Sequence, residues 1–272
     1  MKKRIVALAL VVLMLTVAVI GGTMAYFTDT DDATNTFTFG NVSIVQNEKN
    51  RDGDTFEQNQ VVYPAIHEKL TKGDVTVDGY TFKIRSLEGN YIDKIVNVTN
   101  DGTEEAYVRT IIAIPSINGY DDTANASNNP LHWNYLDASD FNGTGWDWNG
   151  SNDAEVTSQK CYAQDVMIGG VAYDLYVATY NAEVAKDETT SPSMVGFYLD
   201  NRVNYDENGY FQVVNGERRD LSEYIKPDEN GMVTMKILVA SQACQTEGFA
   251  DAWEALDKAF GAISATNNPW VK

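Results

Sequence analysis

An antiparallel all-β sandwich of jelly-roll type, closed by one short C-terminal helix, is the fold class that the sequence predicts. Three observations carry that expectation. Short runs rich in Val, Ile, Thr, Tyr and Phe recur along the chain, several with period-two alternation. Turn signals built from Gly, Asn and Asp separate them. Helical spacing of apolar residues occurs once after the N-terminal segment, over about residues 247–260.

The chain opens with Lys2, Lys3 and Arg4, continues with an apolar run from Ile5 to Ile20 broken only by Thr16, and then reads Gly21, Gly22, Thr23, Met24, Ala25. A positive segment, an apolar segment and a small residue before a cut are the parts of a secretory signal peptide. Thr23 and Ala25 take the −3 and −1 positions for cleavage between Ala25 and Tyr26. The apolar run is shorter than the ~20 residues of a spanning helix, which favours a cleaved signal over an uncleaved anchor. Removing 25 of the 272 residues leaves 247, read as a single β-sandwich domain over residues 26–272. The signal holds three Lys/Arg and no acid, so the formal charge of the mature chain falls from −19 to −22. Such a charge argues against nucleic acid and anionic membranes as partners and leaves divalent cations open.

Taken in order, Thr36 to Phe39 alternates and Val42 to Val45 continues the pattern after Gly40. Residues 46–60 read as a polar loop, followed by Val61-Val62-Tyr63 ending at Pro64. Tyr80 to Ile84 and Ile92 to Thr99 are the next strands. Asn100-Asp101-Gly102 leads into Ala106 to Ile114, closed by Pro115, and the last two runs together read as a hairpin. Within the second run, Val108, Thr110, Ile112 and Ile114 share one face, and Tyr107, Arg109 and Ile111 the other.

From about residue 116 to 153 the composition shifts to Asn, Asp, Gly and Ser, with Trp133, Tyr135, Phe141, Trp146 and Trp148 among them. A long aromatic loop is expected there, too aromatic for disorder. Cys161 to Ile168, Gly169-Gly170 and Val171 to Tyr180 read as a hairpin. The tetrapeptide Asp-Glu-Asn-Gly occurs at 206–209 and 228–231, as turn chemistry used twice. Phe249, Ala252, Trp253, Leu256 and Phe260 then recur at helical spacing, with Thr246 as N-cap and Gly261 as C′.

Enzymatic motifs are sparse. His67-Glu68 starts like a zincin H-E-x-x-H, but Thr71 stands where the second histidine belongs. The other histidine is His132, and no G-x-S-x-G elbow, phosphate-binding glycine loop or C-x-x-C occurs. No catalytic residue, metal ligand or cofactor is expected. Acidic clusters at Asp29, Asp31 and Asp32, at Asp52 and Asp54, at Glu104 and Glu105, and at Asp121 and Asp122 lack the full EF-hand pattern and read as solvated turns. Trp133, Trp146 and Trp148 are candidates either to stack on a sugar or to cap the sandwich. Cys161 and Cys244 either form a disulfide, as export permits, or remain two buried thiols.

The junction Gly21-Gly22-Thr23-Met24-Ala25-Tyr26-Phe27-Thr28-Asp29, followed by residues 35–42, resembles the start of TasA/camelysin-type proteins, with their G-G-T-x-A-x-F-x-D pattern and x-F-x-x-G strand. Tyr63-Pro64 and residues 98–109 are similar to that family's Y-P segment and V-x-N-x-G-x-x-x-A-Y-V-R block. Ala243 to Phe249 with Trp253 is similar to its A-V-Q-A-E-G-F ending. The chain departs from the pattern at Ala65, in residues 67–92, which look inserted, in the aromatic loop, and at Cys244, which occupies an apolar position.

This resemblance implies a Gram-positive, exported jelly-roll protein of the cell surface or biofilm matrix, processed by a SipW-type signal peptidase; the sparse motifs above lead to the expectation that it is not an enzyme. It further implies self-association into fibres by donor-strand exchange, with Tyr26, Phe27, Phe37 and Phe39 on the donor segment. Physically this is β-augmentation; the alternative is that the segment forms the first strand of its own domain. Other matrix or cell-surface components are further candidate partners. A surface adhesin using the tryptophan loop, and a metalloprotease of the kind named for camelysin relatives, stand as alternatives.

Overall fold

Ala106–Pro115 is buried at all ten positions, which makes it a central strand covered on both faces. The computed structural model that shows this describes residues 28–32, 35–38, 42–58, 72–85, 91–116, 130–148, 161–222 and 236–271. Its strands are β1 (Thr28–Asp32), β2 (Asn35–Thr38), β3 (Ile44–Lys49), β4 (Lys72–Val77), β5 (Tyr80–Arg85), β6 (Ile92–Asn100), β7 (Ala106–Pro115), β8 (Leu131–Tyr135), β9 (Trp146–Asp147), β10 (Cys161–Ile168), β11 (Val171–Tyr180), β12 (Met194–Leu199), β13 (Val203–Asp206), β14 (Gly209–Val214), β15 (Glu217–Asp220) and β16 (Leu238–Gln245). One 3-10 turn covers Ala138–Phe141, and the helix α1 is Ala252–Phe260.

A seven-stranded antiparallel sheet runs β10-β11-β7-β16-β1-β2, with β9 also paired to β11. A four-stranded sheet runs β3-β6-β12-β8. The main core lies between them, with Ile44, Val96 and Val98 from the smaller sheet against Val108, Ile112, Ile114, Ala178, Val239 and Ala243 from the larger. The expected division of β7 into two faces holds. Its even positions enter this core, while Tyr107, Ile111 and Ala113 pack in a further layer beneath α1 and the C-terminal segment. A β4–β5 hairpin covers the opposite side, where Val77, Phe82 and Ile84 pack on Tyr91, Ile95 and Val195. The chain is an all-β sandwich with one short C-terminal helix, as its period-two runs predict.

The expected hairpin of residues 92–115 does not form. β6 pairs with β3 and β12 in one sheet, and β7 with β11 and β16 in the other. The turn between them is a corner that crosses the sandwich, and Asn100 holds it. Its side-chain amide donates to Glu104 O and Val184 O (both 2.8 Å), while its Oδ1 accepts from Gly102 N (3.0 Å). A strand buried on both faces needs partners on both edges, and one hairpin mate supplies only one.

Three boundaries also differ from expectation. β3 continues to Lys49, because Asn47 Nδ2 finds Asn97 Oδ1 (3.0 Å) and Thr99 Oγ1 (2.9 Å) on β6. The region 116–153 carries β8, a 3-10 turn and β9 rather than a structureless loop. α1 is nine residues long and is capped by Asp251, whose side chain accepts from Glu254 N (2.8 Å), instead of starting at Thr246. Gly248, at φ +90°, turns the chain before it, so the helix starts after that turn; Gly261 ends it as expected. The 161–180 hairpin forms as expected, with Gly169 and Gly170 both at positive φ. Residues 1–27, Val61 to Tyr63, His67 and the second Asp-Glu-Asn-Gly lie outside the described residues.

Candidate assembly edge

β16 is a strand of mostly small and apolar residues, with Gln242 among them, and its positions 239–244 are all buried. On one side it pairs with β7 over eight residues, from Leu238↔Ala113 to Gln245↔Ala106. Buried hydroxyls lock that pairing from within. Thr110 Oγ1 and Ser241 Oγ lie 3.1 Å apart, and Ser241 Oγ donates to Gln46 Oε1 (2.8 Å) on β3, tying the two sheets together.

The other edge of β16 carries β1, with Thr28↔Cys244, Asp29↔Ala243, Thr30↔Gln242, Asp31↔Ser241 and Asp32↔Ala240. β2 folds back on β1, placing Phe37 opposite Thr30. The sequence of β1 is Thr-Asp-Thr-Asp-Asp, with no apolar residue. It pairs with β16 through its main chain, where each hydrogen bond contributes about 0.5–1.5 kcal/mol net. Of the residues expected on the donor segment, Phe37 lies on this hairpin, while Tyr26, Phe27 and Phe39 fall outside the described residues.

Arg109 fixes the outer layer next to this edge. Its guanidinium is buried on β7; Nε donates to Gln242 Oε1 (2.8 Å), Nη1 to Asp257 Oδ1 (3.0 Å) and Nη2 to Gly261 O (2.9 Å). One side chain thus joins β16 to the C-terminal end of α1, where a cation is favourable. Burial draws its pKa down from the ordinary arginine value, and Asp257 opposes that shift. The sequence held one signal for this role: a lone arginine in an apolar strand.

The tryptophans are structural. Trp146 is fully buried and donates through Nε1 to Ser191 O (2.6 Å); Trp148, also buried, donates to Leu136 O (2.8 Å). Trp133 is half-buried and meets Trp148 edge-on at 5.4 Å and Tyr176 at 5.2 Å. With both indole N–H groups committed inside the core, Trp146 and Trp148 offer no face to a sugar. The capping alternative is the one the chain adopts.

Cys244 is a free, buried thiol under α1, and burial pushes its pKa up to about 12. Cys161 lies on β10, with β11 and β7 between it and β16. Three strand spacings of about 4.8 Å each put the two backbones far beyond the ~7 Å limit of a disulfide. The Cys161–Cys244 bridge is therefore not made.

His132 Nε2 lies 2.8 Å from Asp200 Oδ2, and its ring stacks on Tyr198 at 5.0 Å. Arg202 grips the same carboxylate through Nε (2.8 Å), Nη2 (2.6 Å) and its backbone N (2.7 Å). Burial opposes ionisation of Asp200, but these bonds hold its carboxyl well below the usual range. Among the described residues, no helix is long and apolar enough to cross a membrane.

Residues 1–53 match the family described as camelysin metallo-endopeptidase. No curated protein and no solved structure matches the chain. The family description implies a metal, yet among the described residues no three His, Cys, Asp or Glu side chains converge to hold one. The histidine present there, His132, is engaged by Asp200 and Tyr198. These residues do not fit a zinc centre. The match spans the Gly21–Asp29 junction, β1, β2 and β3, the segment that builds and adjoins the β16 edge. Residues 1–53, about a fifth of the chain, are thus similar to the camelysin family, in agreement with the TasA/camelysin-type resemblance of the junction.

Proposed function

We propose that the chain is an exported structural subunit of the cell surface or matrix that assembles by exchanging its N-terminal strands, with β16 as the acceptor edge. One observation carries this reading: the β16 edge is filled, over five paired positions, by a segment that follows directly on the Ala25/Tyr26 junction and has no apolar residue in its sequence. In the single chain that segment is the chain's own, which is the alternative noted from the sequence. Exchange replaces each of these hydrogen bonds with the same bond from a neighbour, as in domain swapping. Chain concentration and tethering therefore decide the outcome, with no new interface chemistry needed. A head-to-tail exchange of this kind does not close on itself and gives filaments. The covering of β16 by β7 on one side and a polar strand on the other supports the assignment of the acceptor edge.

Electron microscopy of the secreted mature protein, beside a variant lacking residues 26–39, tests this. Filaments from the first and none from the second are expected. A full-length mature protein that stays monomeric at high concentration overturns it.

A further inference from the structure

Between α1 and the outer face of the seven-stranded sheet lies a cavity of about 40 Å³, whose walls include Arg109, Val177, Thr179, Trp253, Asp257 and Ile263. A water needs roughly 10–15 Å³ of such space, so the cavity takes two or three waters or one group the size of a carboxylate.

Its polar groups lean toward donors, with the Tyr162 and Thr179 hydroxyls able to act in either sense. Arg109 makes one hydrogen bond from each of its three nitrogens, which leaves two of a guanidinium's five N–H groups uncommitted. The Trp253 indole N–H is buried with no acceptor, and an indole can only donate. Buried donors in a native protein normally have a partner. The one carboxylate in the wall, Asp257, is already taken by Arg109. Val177 and Ile263 supply apolar surface. Water brings two donors of its own, for which the wall offers the Tyr162 and Thr179 hydroxyls, and it carries no charge to set against the guanidinium. A carboxylate brings acceptors alone, and a short alkyl tail suits the apolar wall.

We propose that this cavity binds a small carboxylate, whose oxygens accept from the Trp253 indole and the uncommitted N–H groups of Arg109, with its alkyl end against Val177 and Ile263. The ligand is either a free short-chain acid or an Asp or Glu side chain of a second copy; the recognising chemistry is the same. The charge of Arg109 is shared with the half-exposed Asp257, so binding is weak and exchanges fast.

The test is a titration of the nitrogen-15-labelled mature protein with sodium acetate at constant ionic strength, following the indole N–H signals. Trp253→Phe identifies the relevant signal by its loss, and the wild-type titration needs no further variant. The Trp253 signal is expected to move saturably with acetate and to stay in place with acetamide, its neutral isostere. If it instead moves with protein concentration in the absence of acetate, the carboxylate belongs to a second copy, and the proposed chemistry stands. No movement in either titration, or equal movement with acetamide, overturns the proposal and leaves water as the occupant.

Discussion

Replacing Trp146 with alanine removes the largest fully buried side chain of the aromatic cluster. Trp146 sits on β9 opposite Tyr180, meets that ring edge-on at 5.2 Å and donates to Ser191 O at 2.6 Å. Truncating a core aromatic to alanine costs about 3–5 kcal/mol in lost burial and residual cavity. Leaving the buried Ser191 carbonyl without its donor costs about 1–3 kcal/mol more. The two overlap where water enters the cavity, so a total near 5 kcal/mol is expected. For a chain of this size each kcal/mol moves Tm by about 2–4 °C, which gives a fall of about 10–20 °C. Trp146→Phe keeps most of the ring volume and loses the N–H, and should cost about 1–2 kcal/mol. Urea unfolding followed by circular dichroism, with calorimetry for Tm, reads both. A loss below about 1 kcal/mol for Trp146→Ala would refute the core placement and return the tryptophans to a ligand-binding role.

Gly196→Ala should destabilise by about 1–3 kcal/mol, because a Cβ there would lie 2.4 Å from Ile92 O and 2.6 Å from the Tyr91 hydroxyl; thermal unfolding measures it, and an unchanged Tm counts against the β6–β12 bulge. Asp200→Asn should destabilise at pH 7, and the deficit should shrink as pH falls. A carboxyl depressed in the folded state stabilises above its unfolded pKa of about 3.9, and that gain is lost as pH drops through the folded value. Urea curves at pH 7 and pH 3 for both proteins check the sign, and a deficit independent of pH contradicts it. Cys244 should resist maleimide in the native protein and react once unfolded, given its burial and raised pKa; rapid native labelling, read by mass spectrometry, would contradict its place under α1.

The sequence displays what short-range physics decides. The 161–180 hairpin is legible because two adjacent glycines supply the positive φ that the turn needs. The C-terminal end of α1 is legible in Gly261, and the two faces of β7 in their alternation. What fails depends on distant partners. Asn100-Asp101-Gly102 has the same local chemistry whether it closes a hairpin or turns a corner; the carbonyl that decides it, Val184 O, lies 84 residues away. Trp146 and Trp148 look alike as platforms or as core until Ser191 O and Leu136 O are in place. β4 reads Lys-Gly-Asp-Val-Thr-Val, too polar at its start to stand out, and forms because β5 pairs with it in register. β1 escapes notice because, without apolar residues, it has no strand signature beyond the edge it pairs with. The Ala25/Tyr26 junction is visible in the sequence, while the pairing of the strand that follows it with β16 is not.

A single substitution tests the exchange most directly. Thr28 sits opposite the native Cys244 in the β1–β16 ladder. Cα atoms of directly opposed antiparallel residues lie about 4.5–5.5 Å apart, inside the ~4.4–6.8 Å span of a disulfide. Mature protein carrying Thr28→Cys and Cys161→Ser is allowed to assemble, oxidised, and run on a denaturing gel without reductant. Strand exchange predicts a ladder of covalent multimers that collapses to monomer on reduction and disappears with Cys244→Ala. A single band of internally closed monomer at every concentration would contradict it.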